Sequence, residues 1–178
     1  MKKSIVVISS SPRKGGNSDL LCDQFISGAV DSGHNAEKIV LNDKNINYCT
    51  GCGYCLKKEG CSQKDDMTDI LEKLETADVI VMATPVYFYS MCGRMKTLID
   101  RTCAGYTRIS NKEFYFIVAA ADSNHSAMER TLEGFRGFTD CLDNPVEKGV
   151  IYGTSAWNKG EIKNKPTMKQ AYEAGLNV

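Results

Sequence analysis

Two segments of the chain carry residue types whose spacing could do chemistry. The sharper is Cys49-x2-Cys52-x2-Cys55-x5-Cys61, four thiols within thirteen residues. Two-residue spacings bring three thiolates to one side of a short loop, which suits three corners of a cubane [4Fe–4S] cluster; the fourth can fold back to the last iron. Gly51, Gly53 and Gly60 let the backbone turn that tightly. Structural zinc more often uses two separated Cys-x-x-Cys knuckles, so the compact array fits zinc less well. Ser62 follows Cys61 where bacterial ferredoxin runs place proline. Free thiols, another metal or a disulfide are the competing readings of the same residues.

The second segment is Ser9-Ser10-Ser11-Pro12-Arg13-Lys14-Gly15-Gly16-Asn17-Ser18. It lies between an apolar run, Ile5–Ile8, and a helical pattern that begins near Asn17 or Ser18. A loop there offers a phosphate the unpaired N–H groups and positive end of a helix. Glycines permit close approach, Ser11, Asn17 and Ser18 add donors, and Arg13 adds a forked cation. No Gly-Lys-Ser/Thr closes the loop and no Gly-x-Gly-x-x-Gly is present, so it is neither a P-loop nor a dinucleotide fingerprint. A Ser/Gly-rich turn joining two elements is the bland alternative.

The elements that must position these segments follow from periodicity. Strands are expected at Lys3–Ser9, Ala36–Leu41, Asp78–Thr84 (ended by Pro85), Glu113–Ala121 and Gly149–Gly153. Helices are expected from Asn17 to near Gly33, from about Asp66, around Met95–Thr102, at Ser126–Leu142 and at Thr167–Leu176. Such alternation predicts one α/β domain over 1–178 with a parallel sheet and helices on both faces, its cysteine-rich loop at 47–63. The 22 basic residues equal the 22 acidic ones, which argues against a nucleic-acid backbone surface. No apolar run is long enough for a membrane span, and the short one after Lys3 reads as a strand of a cytoplasmic protein rather than a signal sequence. Cys22, Cys92, Cys103 and Cys141 are scattered and read as small buried apolar residues.

Ser11-Pro12-Arg13-x-x-Gly16-Asn17-Ser18 after a first strand resembles the FMN-phosphate loop of the NAD(P)H-dependent FMN reductase and flavodoxin-like superfamily. Thr84-Pro85-Val86-Tyr87, Lys96 through Asp100-Arg101, and Lys64-Asp65-Asp66-Met67 resemble further segments of it, in order, and the likeness spans residues 3–176. The resemblance implies a flavodoxin-like three-layer α/β/α sandwich on a five-stranded parallel sheet. It implies FMN held by Ser9, Ser11, Arg13, Gly16, Asn17 and Ser18 at the phosphate and by Pro85, Val86, Tyr87 and Phe88 at the ribityl chain and ring. The third loop, with Ala120, Ala121 and Asp122, departs from the commoner Thr/Gly-rich pattern, leaving backbone N–H groups for the pyrimidine edge. His125 beside it reads as a cap or surface residue, since flavin carries hydride chemistry itself.

The cysteine array is similar to that of the iron–sulfur flavoproteins, a branch of the same superfamily. That likeness implies a [4Fe–4S] cluster on Cys49, Cys52, Cys55 and Cys61, and a homodimer or homotetramer that shortens electron transfer to FMN. The expected activity is an FMN-dependent oxidoreductase fed by NAD(P)H or a ferredoxin-like donor. A flavodoxin-type carrier without turnover of its own is the alternative, and a regulatory module that has lost flavin binding is a third.

Overall fold

The computed structural model describes residues 1–178. Its central strands are apolar on both faces because both faces are covered. In β1 (Ser4–Ser9), Val6 and Ile8 enter one core while Ile5 and Val7 enter the other. The same alternation runs through β3 (Val79–Tyr87), where Ile80 and Met82 oppose Val79 and Val81, and through β5 (Glu113–Ala119), where Phe114 and Phe116 oppose Tyr115 and Ile117. With β2 (Asn35–Val40) and β6 (Val146–Gly153) these strands form a parallel sheet in the order β2-β1-β3-β5-β6. Such an order reverses direction between β1 and β3, which opens a crevice at their carboxyl ends.

One face is covered by α1 (Asn17–Asp31) and α5 (Thr167–Leu176), which bring Leu21, Phe25, Ala29 and Ala171 to the smaller core. These two helices touch backbone to backbone: a Cβ on Gly28 would stand 2.0 Å from the Tyr172 carbonyl oxygen. The other face carries α2 (Met67–Thr76), α3 (Gly93–Arg101) and α4 (Glu129–Thr139) over the larger core, with Ile70, Leu74, Met95, Leu98, Leu132 and Phe135.

The sheet departs from the expected five strands. Pro85 does not end β3, which runs on to Tyr87 and turns back as a short antiparallel β4 (Ser90–Met91). Proline is tolerated there because β1 pairs with β3 only as far as Ala83, leaving β5 as the neighbour that Pro85 faces. At the β3–β4 turn Phe88 and Tyr89 both have positive φ, 50° and 62°, the paired left-handed conformation of a two-residue hairpin. Neither residue type signals that turn. β5 stops at Ala119 rather than Ala121, and a 3₁₀ turn at His125–Ala127 takes the start of the expected fourth helix. No helix is long and apolar enough to cross a membrane.

Candidate functional site

The loop after β1 is held from beneath. Asp19, in the first turn of α1, accepts from the Ser9 hydroxyl at 2.8 Å and from the Gly15 N–H at 2.9 Å. Lys38 of β2 reaches the same carboxylate at 2.6 Å and Asp23 at 2.7 Å. Burial opposes ionisation of Asp19, but Lys38, Ser9 and Gly15 outweigh it and hold the carboxyl below its ordinary range. At Gly16 only glycine fits: a Cβ would lie 2.4 Å from Ser11 Oγ and 2.8 Å from the Arg13 carbonyl oxygen. Gly15 stands in the left-handed region at φ 68°.

Most of the expected phosphate and ribityl residues meet in one cleft at the carboxyl edge of the sheet. Ser11, Arg13, Asn17, Ser18, Pro85, Val86, Tyr87, Ala120 and Ala121 line a cavity of about 330 Å³. Ser18 Oγ is buried there and has no hydrogen-bond partner within the protein. Three other assignments look different in place. The Ser9 hydroxyl is committed to Asp19. Phe88 is fully exposed at the hairpin tip, and Asp122 turns to the backbone N–H of Asn124. Asn17 lines the cleft, yet its amide braces the loop after β6, donating to the carbonyls of Ala156 and Asn158 at 3.0 Å each.

That bracing brings into the cleft residues that no sequence motif marks. Residues Ala156–Asn158 form a wall of the cleft, with Trp157 74% exposed and its carbonyl 3.5 Å from both terminal nitrogens of Arg13. They lie in a polar stretch far from the phosphate loop in sequence, and only the parallel pairing of β5 with β6 brings them there. The lone tryptophan was the available signal. His125 is exposed and stacks on Tyr152 with ring centroids 4.1 Å apart, a packing role.

The cysteine segment is anchored by a buried ion pair. Arg101, 2% exposed overall, donates to Asp65 Oδ2 at 2.7 Å and Oδ1 at 2.9 Å, and to the Asn47 carbonyl at 2.7 Å. The two motifs Asp65-Asp66-Met67 and Asp100-Arg101 are thus halves of one contact. Arg101 holds the Asp65 carboxyl down at about 2, with the Asn47 and Met67 N–H groups assisting against burial. The same guanidinium reaches Cys61 Sγ at 3.6 Å, and the Gln63 N–H points at that sulfur from 3.4 Å. Ser62, the Tyr54 backbone and Thr50 lower the Cys52 thiol below its ordinary value.

Gly51, Gly53 and Gly60 all have positive φ, as the tight turning requires. Cys49 and Cys52 are exposed, Cys55 and Cys61 half-buried, and the sulfurs are not drawn into one coordination group. The donor set nevertheless fits an iron–sulfur cluster: thiols on a glycine-hinged loop, with N–H and guanidinium donors aimed at sulfur. The background cysteines divide differently from expectation. Cys22 and Cys92 are buried, whereas Cys103 and Cys141 are exposed. Cys103 sits in the 3₁₀ turn Thr102–Ala104 that follows α3, and its thiol faces Cys55. Cys141 lies just past α4, its thiol on the Gly137 carbonyl.

A larger cavity of about 830 Å³ lies between the phosphate loop and the cysteine loop. Its walls include Pro12, Tyr48, Thr50, Gln63 and Arg94, and it shares Tyr87 with the smaller cleft.

The sheet order and the crevice at its carboxyl edge define the flavodoxin-like class of α/β protein. Within that class the family model for NADPH-dependent FMN reductase matches residues 3–137, and the chain belongs to this family. An iron-sulfur flavoprotein of Archaeoglobus fulgidus is 34% identical over 168 residues, covering 86% of this chain and 83% of that protein. Another from the same organism is 44% identical over 96 residues, covering 54% of this chain and 44% of that protein. The chain thus spans about half the length of several curated relatives it matches. Among solved structures, an NAD(P)H:quinone oxidoreductase from Methanothermobacter marburgensis superposes with a TM-score of 0.77 at 16% identity, over 99% of this chain and 97% of that one. That likeness is one of fold.

Proposed function

We propose that the chain is an FMN-dependent oxidoreductase of the iron–sulfur flavoprotein kind. It would hold FMN in the Ser11–Ser18 cleft and a [4Fe–4S] cluster on Cys49, Cys52, Cys55 and Cys61. The observation that carries the reading is the pairing of two features in one small fold. A cleft with an orphaned hydroxyl at Ser18 and a glycine-only position at Gly16 stands beside a cavity walled by Tyr48 and Thr50 of the cysteine loop and by Gln63 after its last cysteine, the two sharing Tyr87. The names of the Archaeoglobus fulgidus relatives point the same way.

FMN, when bound, accepts a hydride or single electrons, and the cluster exchanges electrons one at a time. The chain's own residues bind and orient. The Ser18 hydroxyl and the N–H groups at the start of α1 face the phosphate, with Arg13 at the cleft's outer lip. Pro85, Val86 and Tyr87 give the ring an apolar wall, and Ala120 and Ala121, just past the paired strand β5, line the same cleft beside them. Phe88 donates no polar group; its exposed ring and Tyr89 form apolar surface suited to a second copy of the chain in a homodimer or homotetramer. Arg101 and the Gln63 N–H would donate to the Cys61 sulfur and orient it toward the cluster.

NAD(P)H, or a ferredoxin-like protein, is the reductant in this reading. The test is anaerobic reduction of the purified holoprotein by NADPH and NADH, followed by visible absorption. Bleaching of flavin bands within a turnover supports the enzyme. Reduction by ferredoxin with none by either nucleotide would instead favour a flavodoxin-type carrier, and protein that takes up no FMN refutes both.

A further inference from the structure

A phosphate-binding loop at a helix N-terminus is expected to carry positive charge, yet here a carboxylate occupies the first turn. Asp19 is 5% exposed, and its two oxygens are bonded to Ser9 at the start of the loop and to Gly15 in its middle. The carboxylate therefore shapes the loop from behind while placing a negative charge close to where a dianion must settle. It also takes the Gly15 N–H, which no longer faces the ligand. Lys38, on the neighbouring strand β2, is the one cation on Asp19, and its Nζ also reaches the Asp19 carbonyl oxygen at 3.4 Å and Asp23.

We propose that Lys38 is a positioning residue for the flavin phosphate: it touches no ligand, but by neutralising Asp19 it lets an anionic group bind above a loop that a carboxylate holds in shape. The inference rests on the reading of this cleft as the FMN site. Lys38 and Asp19 are 2.6 Å apart in a largely buried setting, where charges interact far more strongly than at a screened, exposed surface. Removing the ammonium and keeping the carboxylate thus leaves a like charge facing the phosphate. Removing both charges leaves a neutral pair, in which an amide in place of the Asp19 carboxylate can still accept from the Gly15 N–H.

The test compares FMN with riboflavin, which has the same ring and ribityl chain but no phosphate, by fluorescence titration of apoprotein. For K38M the FMN affinity is expected to fall roughly tenfold or more, with riboflavin affinity unchanged. K38R is expected to keep the wild-type ratio of the two affinities, and D19N/K38M to recover most of it. Far-UV circular dichroism and thermal unfolding confirm that each variant is folded; if K38M does not fold, D19N/K38M and K38R against wild type carry the comparison. Equal losses for FMN and riboflavin in K38M, or a double variant as weak toward FMN as K38M, overturn the inference while leaving the FMN site intact. A folded double variant that binds FMN tenfold more weakly than K38R does the same where K38M is lost. Wild-type protein that binds neither flavin overturns the reading of the cleft, and the inference with it.

Discussion

Replacing Asp65 by asparagine is expected to do more damage than any single change on the cysteine loop itself. The Asp65 and Arg101 side chains are 0% and 1% exposed, and the contact is bidentate at 2.7 and 2.9 Å. A neutral amide at that position would leave a buried guanidinium with no countercharge, a situation that costs about 3–5 kcal/mol. The wild-type pair has its own acid signature. A carboxyl held at about 2 in the fold, against an ordinary value of 3.8, contributes about 2.5 kcal/mol. Because the folded value is the lower one, that contribution is complete above roughly pH 4 and disappears as pH falls toward 2. Urea unfolding at pH 7 and at steps down to pH 2.5 reads both effects. Wild type is expected to lose stability through that window more steeply than Asp65→Asn, the two curves converging at the acid end. A variant within about 1 kcal/mol of wild type at pH 7, an exposed-pair value, would refute the claim that this contact anchors the loop.

Three further changes separate ligand binding from folding. Ser18→Ala removes a hydroxyl that no protein group uses, so unfolding is expected to be unchanged while FMN binds roughly five- to tenfold more weakly by equilibrium titration. Gly16→Ala must displace Ser11 Oγ or the Arg13 carbonyl; FMN affinity is expected to drop by about tenfold or more, and unaltered binding would contradict the glycine-only cradle. Gly28→Ala forces α1 away from α5, where a Cβ has only 2.0 Å to Tyr172, and is expected to cost about 3 kcal/mol in thermal or urea unfolding.

The fold was legible because its signals are local. β1, β3 and β5 read as unbroken apolar runs, and α2 and α3 show their buried stripes at helical spacing. What could not be read depends on tertiary geometry. Phe88 and Tyr89 adopt positive φ against their intrinsic preference, so no residue type marked the hairpin. Ser9 and Ser18 are alike in sequence, but Asp19 takes the Ser9 hydroxyl while the Ser18 hydroxyl has no partner. Trp157 joins the cleft only through β5–β6 pairing, and the Asp65–Arg101 pair connects residues far apart in the chain. The cysteine spacing was plain, yet Cys103 reaches Cys55 only because the turn after α3 packs against the 3₁₀ turn at Tyr54–Leu56.

In the proposed reading one chain carries both a flavin and an iron–sulfur cluster. Its most direct test is the iron and flavin content of protein purified without oxygen, with the visible spectrum taken on the same sample. About one FMN and about four irons per chain are expected, with a broad brown absorption under the flavin bands, and loss of the iron but not the FMN in Cys52→Ser. Flavin at full occupancy with no iron would contradict the cluster on Cys49, Cys52, Cys55 and Cys61, leaving a plain FMN reductase.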